Sequence, residues 1–99
     1  MKNYEEIGKI RIVHDEWSYG WADLGKKCYA KCYYNKRTLA FNKRERNTLS
    51  AGSKCSYVNV VAHEVIHAAI PILSERQVNN LGNIIEEVFN NISTLGPTR

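Results

Sequence analysis

The spacing of apolar residues changes once along this chain, close to Ser56. Before that point apolar and polar side chains alternate, which is typical of half-buried β-strands. After it, apolar side chains recur every three or four residues, which is typical of amphipathic helices. A chain of 99 residues has room for one small core. We therefore expect a single α+β domain over residues 1–99, in which a small sheet is followed by two helices.

The alternating pattern covers four stretches of the first half, at residues 9–14, 20–24, 28–34 and 38–41. In the first of them, Ile10 and Ile12 share one face of the strand. Residues 35–37 predict a hairpin turn between the last two. The sequence thus predicts an antiparallel or mixed sheet of three to four strands, and residues 42–54 predict a loop or a short frayed helix.

Two helices are predicted in the second half. The first begins at Ser56 and ends just before Pro71, which cannot continue it. The second begins at Ser74, which stands in capping-box relation to Gln77, and residues 96–97 close the domain. We expect the core to take an apolar stripe from each helix. The stripes are Val58, Val61, Ala62, Val65 and Ala69 in the first helix, and Val78, Leu81, Ile85, Val88 and Ile92 in the second.

Hydropathy bears on where the protein is found. No apolar run approaches the roughly 18 residues of a membrane span, and the N-terminal residues MKNYEEIGK lack the apolar core of a signal peptide. We expect a cytoplasmic protein that does not enter a membrane. The aromatic residues of the strand region are expected in the core; they are Trp21, Tyr29, Tyr33 and Tyr34.

Three cysteines, Cys28, Cys32 and Cys55, cannot all pair within one chain. Their spacing also supplies no second CxxC pair for a four-thiolate zinc site. Reduced, half-buried thiols are favoured. A disulfide from Cys28 or Cys32 to Cys55 stays open, as does a metal site with thiolate ligands.

Basic residues concentrate in one part of the chain, against only Asp23 and Glu45, and give a formal net charge of +4. They are Lys26, Lys27, Lys31, Lys36, Arg37, Lys43, Arg44 and Arg46. Such a cluster is either a footprint for nucleic acid or the solvated side of strands and turns. The second interpretation is favoured, since these residues alternate with others that must point inward.

Residues 63–67, inside the first predicted helix, read His-Glu-Val-Ile-His. Two imidazoles four residues apart share one helix face, so both can reach one zinc ion at about 2 Å. Glu64 points beside the ion, where it can take a proton from a water molecule that the metal acidifies. This is the HExxH pattern, which chance produces about one time in a hundred in such a chain. The alternative is a core helix with two hydrogen-bonded histidines.

A hydrolytic zinc site needs a third protein ligand and an open fourth position. No histidine follows the motif, so the downstream candidates are Glu75, Glu86 and Glu87. Glu87 falls opposite the apolar stripe, which predicts a solvated side chain. Glu75 is favoured, because the first turn of the second helix can fold back over the histidines, although the helix dipole alone favours a glutamate there. Glu86, His14 and Asp15 stay open.

HExxH followed by a glutamate ligand resembles the gluzincin metallopeptidases, in which that glutamate opens an ExxAD- or ExxAN-like stretch. Residues 75–79, Glu-Arg-Gln-Val-Asn, match it as ExxVN, and the resemblance implies that Asn79 supports a ligand histidine. More narrowly, the order KIRIV, GxAD at residues 20–23, TLAF and AHExxHA is similar to ImmA/IrrE-type peptidases and to short phage and prophage proteins with HExxHA, a proline and LSE. The resemblance covers residues 9–92 and is most specific over 62–79. It implies a zincin-like core and, for a phage protein, the host cytoplasm.

The function expected is that of a minimal zinc-dependent peptidase acting on a peptide or protein. One Zn²⁺ is held by His63, His67 and Glu75, and Glu64 is the general base. The alternative is a zinc-stabilised, non-proteolytic phage regulatory module that binds a host protein or nucleic acid through its basic hairpin. The sequence leaves the oligomeric state open.

Two supporting roles are predicted from position alone. The strand 38–41, if it lies at the sheet edge above the site, would align an extended substrate by backbone hydrogen bonds. The group that stabilises the oxyanion is not identified, and the candidates are Tyr57, His14 and residues 17–21.

Overall fold

A computed structural model describes residues 1–45 and 56–95 of the protein, which form a four-stranded sheet and two α-helices. The strands are β1 (Lys2–Ile12), β2 (Asp15–Asp23), β3 (Ala30–Tyr33) and β4 (Thr38–Asn42), and a 3-10 turn (Lys43–Glu45) follows β4. The helices are α1 (Ser56–Ala69) and α2 (Glu75–Leu95). The α+β class is confirmed. Residues 46–55 and 96–99, and with them most of the predicted loop, the predicted chain end and Cys55, lie outside the described residues.

The strand order in the sheet is β1-β2-β4-β3. The β1–β2 and β3–β4 pairs are antiparallel, whereas β2 and β4 run parallel, so the sheet is mixed. The prediction that residues 38–41 form an edge strand is therefore wrong. All five residues of β4 are buried, and small side chains such as Thr38 and Ala40 let a strand be covered on both faces. β3 is the edge strand beside it.

One face of the sheet carries the large side chains of the core. Ile12, Trp17, Leu39 and Phe41 are buried there, and α1 packs on them through Val60, Ala68 and Ala69. The inward face predicted for Ile12 is thus confirmed, whereas Trp17 lies outside the predicted strand 20–24, because β2 begins at Asp15. Ile10 shares the face with Ile12 but is 52% exposed, because β1 is the outer strand.

Two aromatic residues predicted for the core are exposed instead. Tyr29 is 60% and Tyr34 45% exposed, since they flank β3 at the edge of the sheet. Trp21 and Tyr33 are half-buried, with the Trp21 ring edge-on to Phe41.

Glycine at position 20 is required by the close approach of β1 to β2. A Cβ atom there would lie 2.1 Å from the carbonyl oxygen of Glu5. The β1–β2 ladder shifts register between Glu6 and Gly8, next to the pairing of Glu6 with Gly20. The local irregularity lets a long outer strand follow the sheet.

The turn after α1 leads into the capping box predicted for α2. The Gln77 side-chain oxygen accepts a hydrogen bond from the Ser74 backbone N–H at 2.9 Å, and the Ser74 hydroxyl accepts one from the Gln77 N–H at 3.2 Å. Pro71 lies beyond the last residue of α1, as expected. The geometry fixes where α2 begins and so where Glu75 lies.

Helix α2 packs on α1 through a narrow contact of small and polar groups. Val78 is fully buried, and a Cβ at Gly82 would lie 2.5 Å from the Asn59 side-chain oxygen. The Asn59 amide donates to Asn83 at 2.6 Å and to Glu86 at 3.0 Å.

The expectation that both apolar stripes belong to the core is wrong for most of their members, although Val78 is buried. The stripe residues that are more than a third exposed are Val61, Val65, Leu81, Ile85, Val88 and Ile92.

Within residues 1–45 and 56–95, no helix is long and apolar enough to cross a membrane.

Candidate metal centre

The two histidines of the HExxH stretch lie one turn apart on α1, and Glu75 is the first residue of α2. The Nε2 atoms of His63 and His67 are 3.0 Å apart. Glu75 Oε1 lies 2.6 Å from His67 Nε2 and 3.2 Å from His63 Nε2. The helical spacing and the turn at Pro71 thus bring three possible ligand atoms to one point.

The donor set fits one zinc ion. Bonds of about 2.0–2.1 Å in a tetrahedral site place neighbouring ligand atoms about 3.3 Å apart, so small side-chain rotations suffice to reach that spacing. Two imidazole nitrogens and a carboxylate oxygen in mutual contact also require shared protons or a cation between them. Glu75 is exposed over 72% of its side chain, which leaves one side of the group open to solvent.

The other acidic candidates lie elsewhere. Glu86 accepts the hydrogen bond from Asn59, and Glu87 is exposed. His14 and Asp15 line a separate cleft near the end of β1, where Asp15 lies 3.5 Å from Arg37. Among the described residues, only His63, His67 and Glu75 form such a group of possible metal ligands.

Glu64 is buried on the sheet-facing side of α1, in the row that also contains Tyr57, Val60 and Ala68. Only 8% of it is exposed. Burial raises the pKa of the Glu64 carboxyl, the adjacent His63 imidazole opposes this, and the Glu75 carboxylate raises it further. A carboxyl held in this way is suited to accept a proton at neutral pH.

The histidines open into a cleft of about 230 Å³ between α1 and the edge strand β3. Ala30, Cys32 and Tyr34 line it on the strand side. A second cleft of about 330 Å³ shares Ala30, His63, Glu64 and Glu75 with the first and continues past Tyr29 to Asn59. Together the two clefts form a groove that runs along β3 past the histidines.

No match to a known protein accompanies this geometry. No family model, no curated protein and no solved structure matches the chain.

Tyr34 is a residue of the groove that the sequence did not single out. It follows β3 with the same parity as Cys32, which directs both toward α1. Burial raises the pKa of the Tyr34 phenol, and the neighbouring Cys32, Glu64 and Glu75 raise it further. The phenol therefore stays protonated and able to donate a hydrogen bond at neutral pH.

The oxyanion candidates named from sequence do not line this groove. The Tyr57 hydroxyl donates to the Glu45 carbonyl at 3.3 Å, and Trp17 is buried in the core. His14 lies in the separate cleft. Asn79, matched to the ExxAN-like stretch, is exposed and makes no hydrogen bond to either histidine within the described ranges 1–45 and 56–95.

Cys28 and Cys32 are free, half-buried thiols, as favoured from the sequence. The Cys28 thiol donates to the Ala30 carbonyl at 3.0 Å. Burial, together with the negative charge of Glu64, raises the pKa of Cys32 to about 11, against a smaller lowering by a hydrogen bond with Tyr34.

The basic residues of the strand region have three kinds of surroundings: an acidic partner, the Tyr33 ring, or a pocket beside the groove. Lys43 lies 2.6 Å from Glu5, and Arg37 pairs with Asp15. Lys31 and Lys36 lie 5.5 and 5.9 Å from the centre of the Tyr33 ring. Another set, Lys26, Lys27 and Arg44, lines a pocket beside the groove together with Cys28, Tyr29 and Glu45. Arg46 lies outside the described residues.

Proposed function

We propose that this protein is a minimal zinc-dependent peptidase with a zincin-like core. The observation that carries the proposal is the convergence of His63, His67 and Glu75 beside the buried carboxyl of Glu64, in a groove open to solvent. A structural zinc site is closed by four protein ligands, whereas three ligands with open space beside them are typical of a catalytic site.

His63, His67 and Glu75 hold the zinc ion, which when bound acidifies water and polarises a peptide carbonyl. Glu64 accepts the proton of the attacking water and passes it to the leaving amine. Burial of Glu64 supports this role, because a raised pKa makes its carboxylate a stronger base than that of an exposed glutamate.

The substrate is an extended peptide that lies along β3. Within residues 1–45 and 56–95, this strand pairs only with β4, and its other edge is where a guest strand pairs. Ala30 and Cys32 border the cleft of the histidines. The role first predicted for residues 38–41 thus passes to the neighbouring strand.

The Tyr34 hydroxyl stabilises the negative charge that develops on the carbonyl oxygen during attack. Its protonated phenol lies in the same cleft as His63, Glu64 and His67. A donor preorganised at that place stabilises the transition state more than the ground state.

The test compares wild-type protein with Glu64→Gln, both loaded with zinc. We expect wild type to hydrolyse an unfolded protein such as casein, and Glu64→Gln to lose that activity while it binds zinc with unchanged stoichiometry. The matched control is Glu87→Gln, which changes an exposed glutamate of α2 and should keep full activity. Equal activity of wild type and Glu64→Gln would remove Glu64 as the base.

A second candidate, a zinc-stabilised binding module, is favoured by the basic pocket of Lys26, Lys27, Arg44 and Tyr29 beside the groove. Cations next to an aromatic ring suit nucleic acid or an acidic peptide. This function predicts salt-sensitive binding that Lys26→Ala and Lys27→Ala weaken, with no hydrolysis by wild type. The casein comparison therefore separates the two candidates.

A further inference from the structure

The apolar side chains of α2 follow a heptad pattern and are left exposed. Val78, Leu81, Ile85, Val88 and Ile92 are spaced three and four residues apart in turn, which places them at alternating a and d positions. Only Val78 is buried. We define the α2 seam as the exposed members of this row together with the flanking Ile84 and Phe89. Its residues and their exposed fractions are Leu81 37%, Ile84 56%, Ile85 42%, Val88 51%, Phe89 47% and Ile92 60%.

Part of the seam faces away from the surface through which α2 packs on α1. Helix α2 meets α1 through Val78, Gly82 and the Asn59–Glu86 hydrogen bond. At 100° per residue, Leu81, Val88 and Ile84 lie about 100°, 120° and 160° around the helix from Gly82, whereas Ile85 and Phe89 lie within about 60° of it. Leu81, Ile84 and Val88 therefore face away from the packing surface, and the other seam residues border it.

The area of the seam matches what a stable dimer requires. Its exposed fractions add up to roughly three whole large side chains, on the order of 600 Å² at about 200 Å² each. This is as large as the largest apolar patch of a typical monomer, at about 300–600 Å². A standard interface takes about 800 Å² from each partner, so the seam and a narrow polar rim suffice.

The choice of side chains favours a second copy of the same helix. β-branched residues occupy the a positions at 78, 85 and 92, and the d positions are Leu81 and Val88. β-branched a positions with leucine at d favour two-stranded packing, a rule that the first heptad follows. The e and g positions beside the a and d row are uncharged, namely Gln77, Gly82, Ile84, Phe89 and Asn91. Two identical copies therefore bring no like charges together there, despite a net charge of +4 for each chain.

The charge of α2 does not suit a lipid surface. Helices that lie on membranes carry many lysines and arginines on the polar face. Helix α2 has Arg76 alone as a basic residue, against Glu75, Glu86 and Glu87. A bilayer with anionic headgroups is accordingly a poorer partner than an identical helix.

We propose that the α2 seam is a homodimer interface, in which α2 of one copy packs against α2 of a second copy around a two-fold axis. A two-fold interface uses the same patch on both copies, and a self-complementary apolar row meets that requirement. The proposal stands on different residues from the peptidase site.

Sedimentation equilibrium of the full chain, over a roughly hundredfold range of concentration, tests the interface. We expect a mass of twice 11.4 kDa at the higher concentrations. Ile85→Glu and Val88→Glu each place a like charge in the seam of both copies, and should raise the dimer dissociation constant by at least about a hundredfold. Since both positions are about half exposed in the single chain, the variants should keep the helical circular dichroism of wild type.

Matched controls are Asn80→Glu, at an exposed α2 position on the opposite side, and Ile72→Glu, an apolar-to-charged change 91% exposed and outside α2. Both should dimerise as wild type does. A second, milder pair, Leu81→Ala and Val88→Ala, should weaken the dimer in proportion to the area lost. A wild-type monomer at every concentration, with or without binding to anionic vesicles, would overturn the proposal, and so would a dimer that neither glutamate variant weakens.

Discussion

Glu64 occupies a position of α1 where an apolar residue would pack more favourably. Its neighbours in the sheet-facing row are Tyr57, Val60 and Ala68, and only 8% of it is exposed. Burying a carboxyl costs free energy, and carboxyls buried in this way are concentrated at functional sites. The cost supports the proposal that Glu64 moves a proton rather than stabilises the fold.

Tyr34 gives a direct test of oxyanion stabilisation. Removing the hydroxyl in Tyr34→Phe takes away one donor, which we expect to lower kcat about a hundredfold with little change in KM or zinc content. The measurement is steady-state hydrolysis of a fluorogenic peptide by zinc-loaded protein. Tyr33→Phe is the matched control, because Tyr33 is the adjacent residue on the other face of β3. A similar loss in both variants would contradict the assignment.

Cys32 should react slowly with alkylating reagents. Its pKa is raised from 9.0 to about 11, so at pH 8 the reactive thiolate is about a hundredfold scarcer than in an ordinary thiol. The rate of iodoacetamide labelling of the Cys32 peptide, followed by mass spectrometry, should rise about tenfold per pH unit up to about pH 11. Labelling in urea supplies the unperturbed reference.

The same shift has a consequence for stability. The folded chain holds the Cys32 proton more tightly than the unfolded chain, because its pKa is raised. The stabilisation is therefore complete below pH 9 and is lost as the pH rises from 9.0 through about 11. In the labelling experiment described above, a rapid and pH-independent reaction of Cys32 in the native protein would contradict the burial of this thiol.

The sequence predicts the place of a residue well when only neighbouring residues determine it, and poorly when distant parts of the chain determine it. The pairing of His63 with His67 follows from the pitch of one helix, and Glu75 follows from a single turn after it. Tyr34 reaches the groove only because β3 pairs with β4 at the sheet edge. No local pattern contains that pairing, and the aromatic ring was accordingly predicted for the core.

At the N-terminus of α2, Ser74 caps the helix and the next residue, Glu75, is the proposed metal ligand. Ser74→Ala removes the acceptor for the Gln77 N–H and should lower the free energy of unfolding by about 1 kcal/mol. Because Glu75 is the next residue, we also expect weaker zinc binding. Urea unfolding and zinc titration measure the two effects, and Ser74→Asp, which keeps an acceptor, should restore both. Unchanged zinc affinity in Ser74→Ala would show that the helix cap does not position Glu75 for zinc binding.

The sheet and the second helix show which properties of an element its own sequence determines. Alternation predicted the strands and the hairpin of β3 and β4, since these depend on neighbouring residues. The parallel pairing of β2 with β4 joins strands that are far apart in the sequence. It places residues 38–41 inside the sheet and β3 at the edge. In α2 the helical spacing identified the apolar residues but not the surface that they face. The contact of α2 with α1 includes Gly82 and Asn59, which do not belong to the apolar stripes.

At the scale of the whole molecule, zinc binding should add stability to a small core. With free zinc at a hundredfold excess over its Kd, the gain is about 2.7 kcal/mol. For a chain of this size that raises Tm by about 10 °C or more. Thermal unfolding followed by circular dichroism, with zinc or with a chelator, measures the shift. His67→Ala is the control and should show none, and an equal shift in that variant would place the ion elsewhere.

The free edge of β3 has a consequence for how the protein behaves at high concentration. An unpaired strand edge can recruit the edge of another molecule and begin a fibre. β3 has only four residues, and Lys31 among them extends over Tyr33. Short length and a lysine are devices that hinder growth of stacked sheets. β3 is therefore poorly suited to seed amyloid, even though its outer edge has no partner strand among residues 1–45 and 56–95.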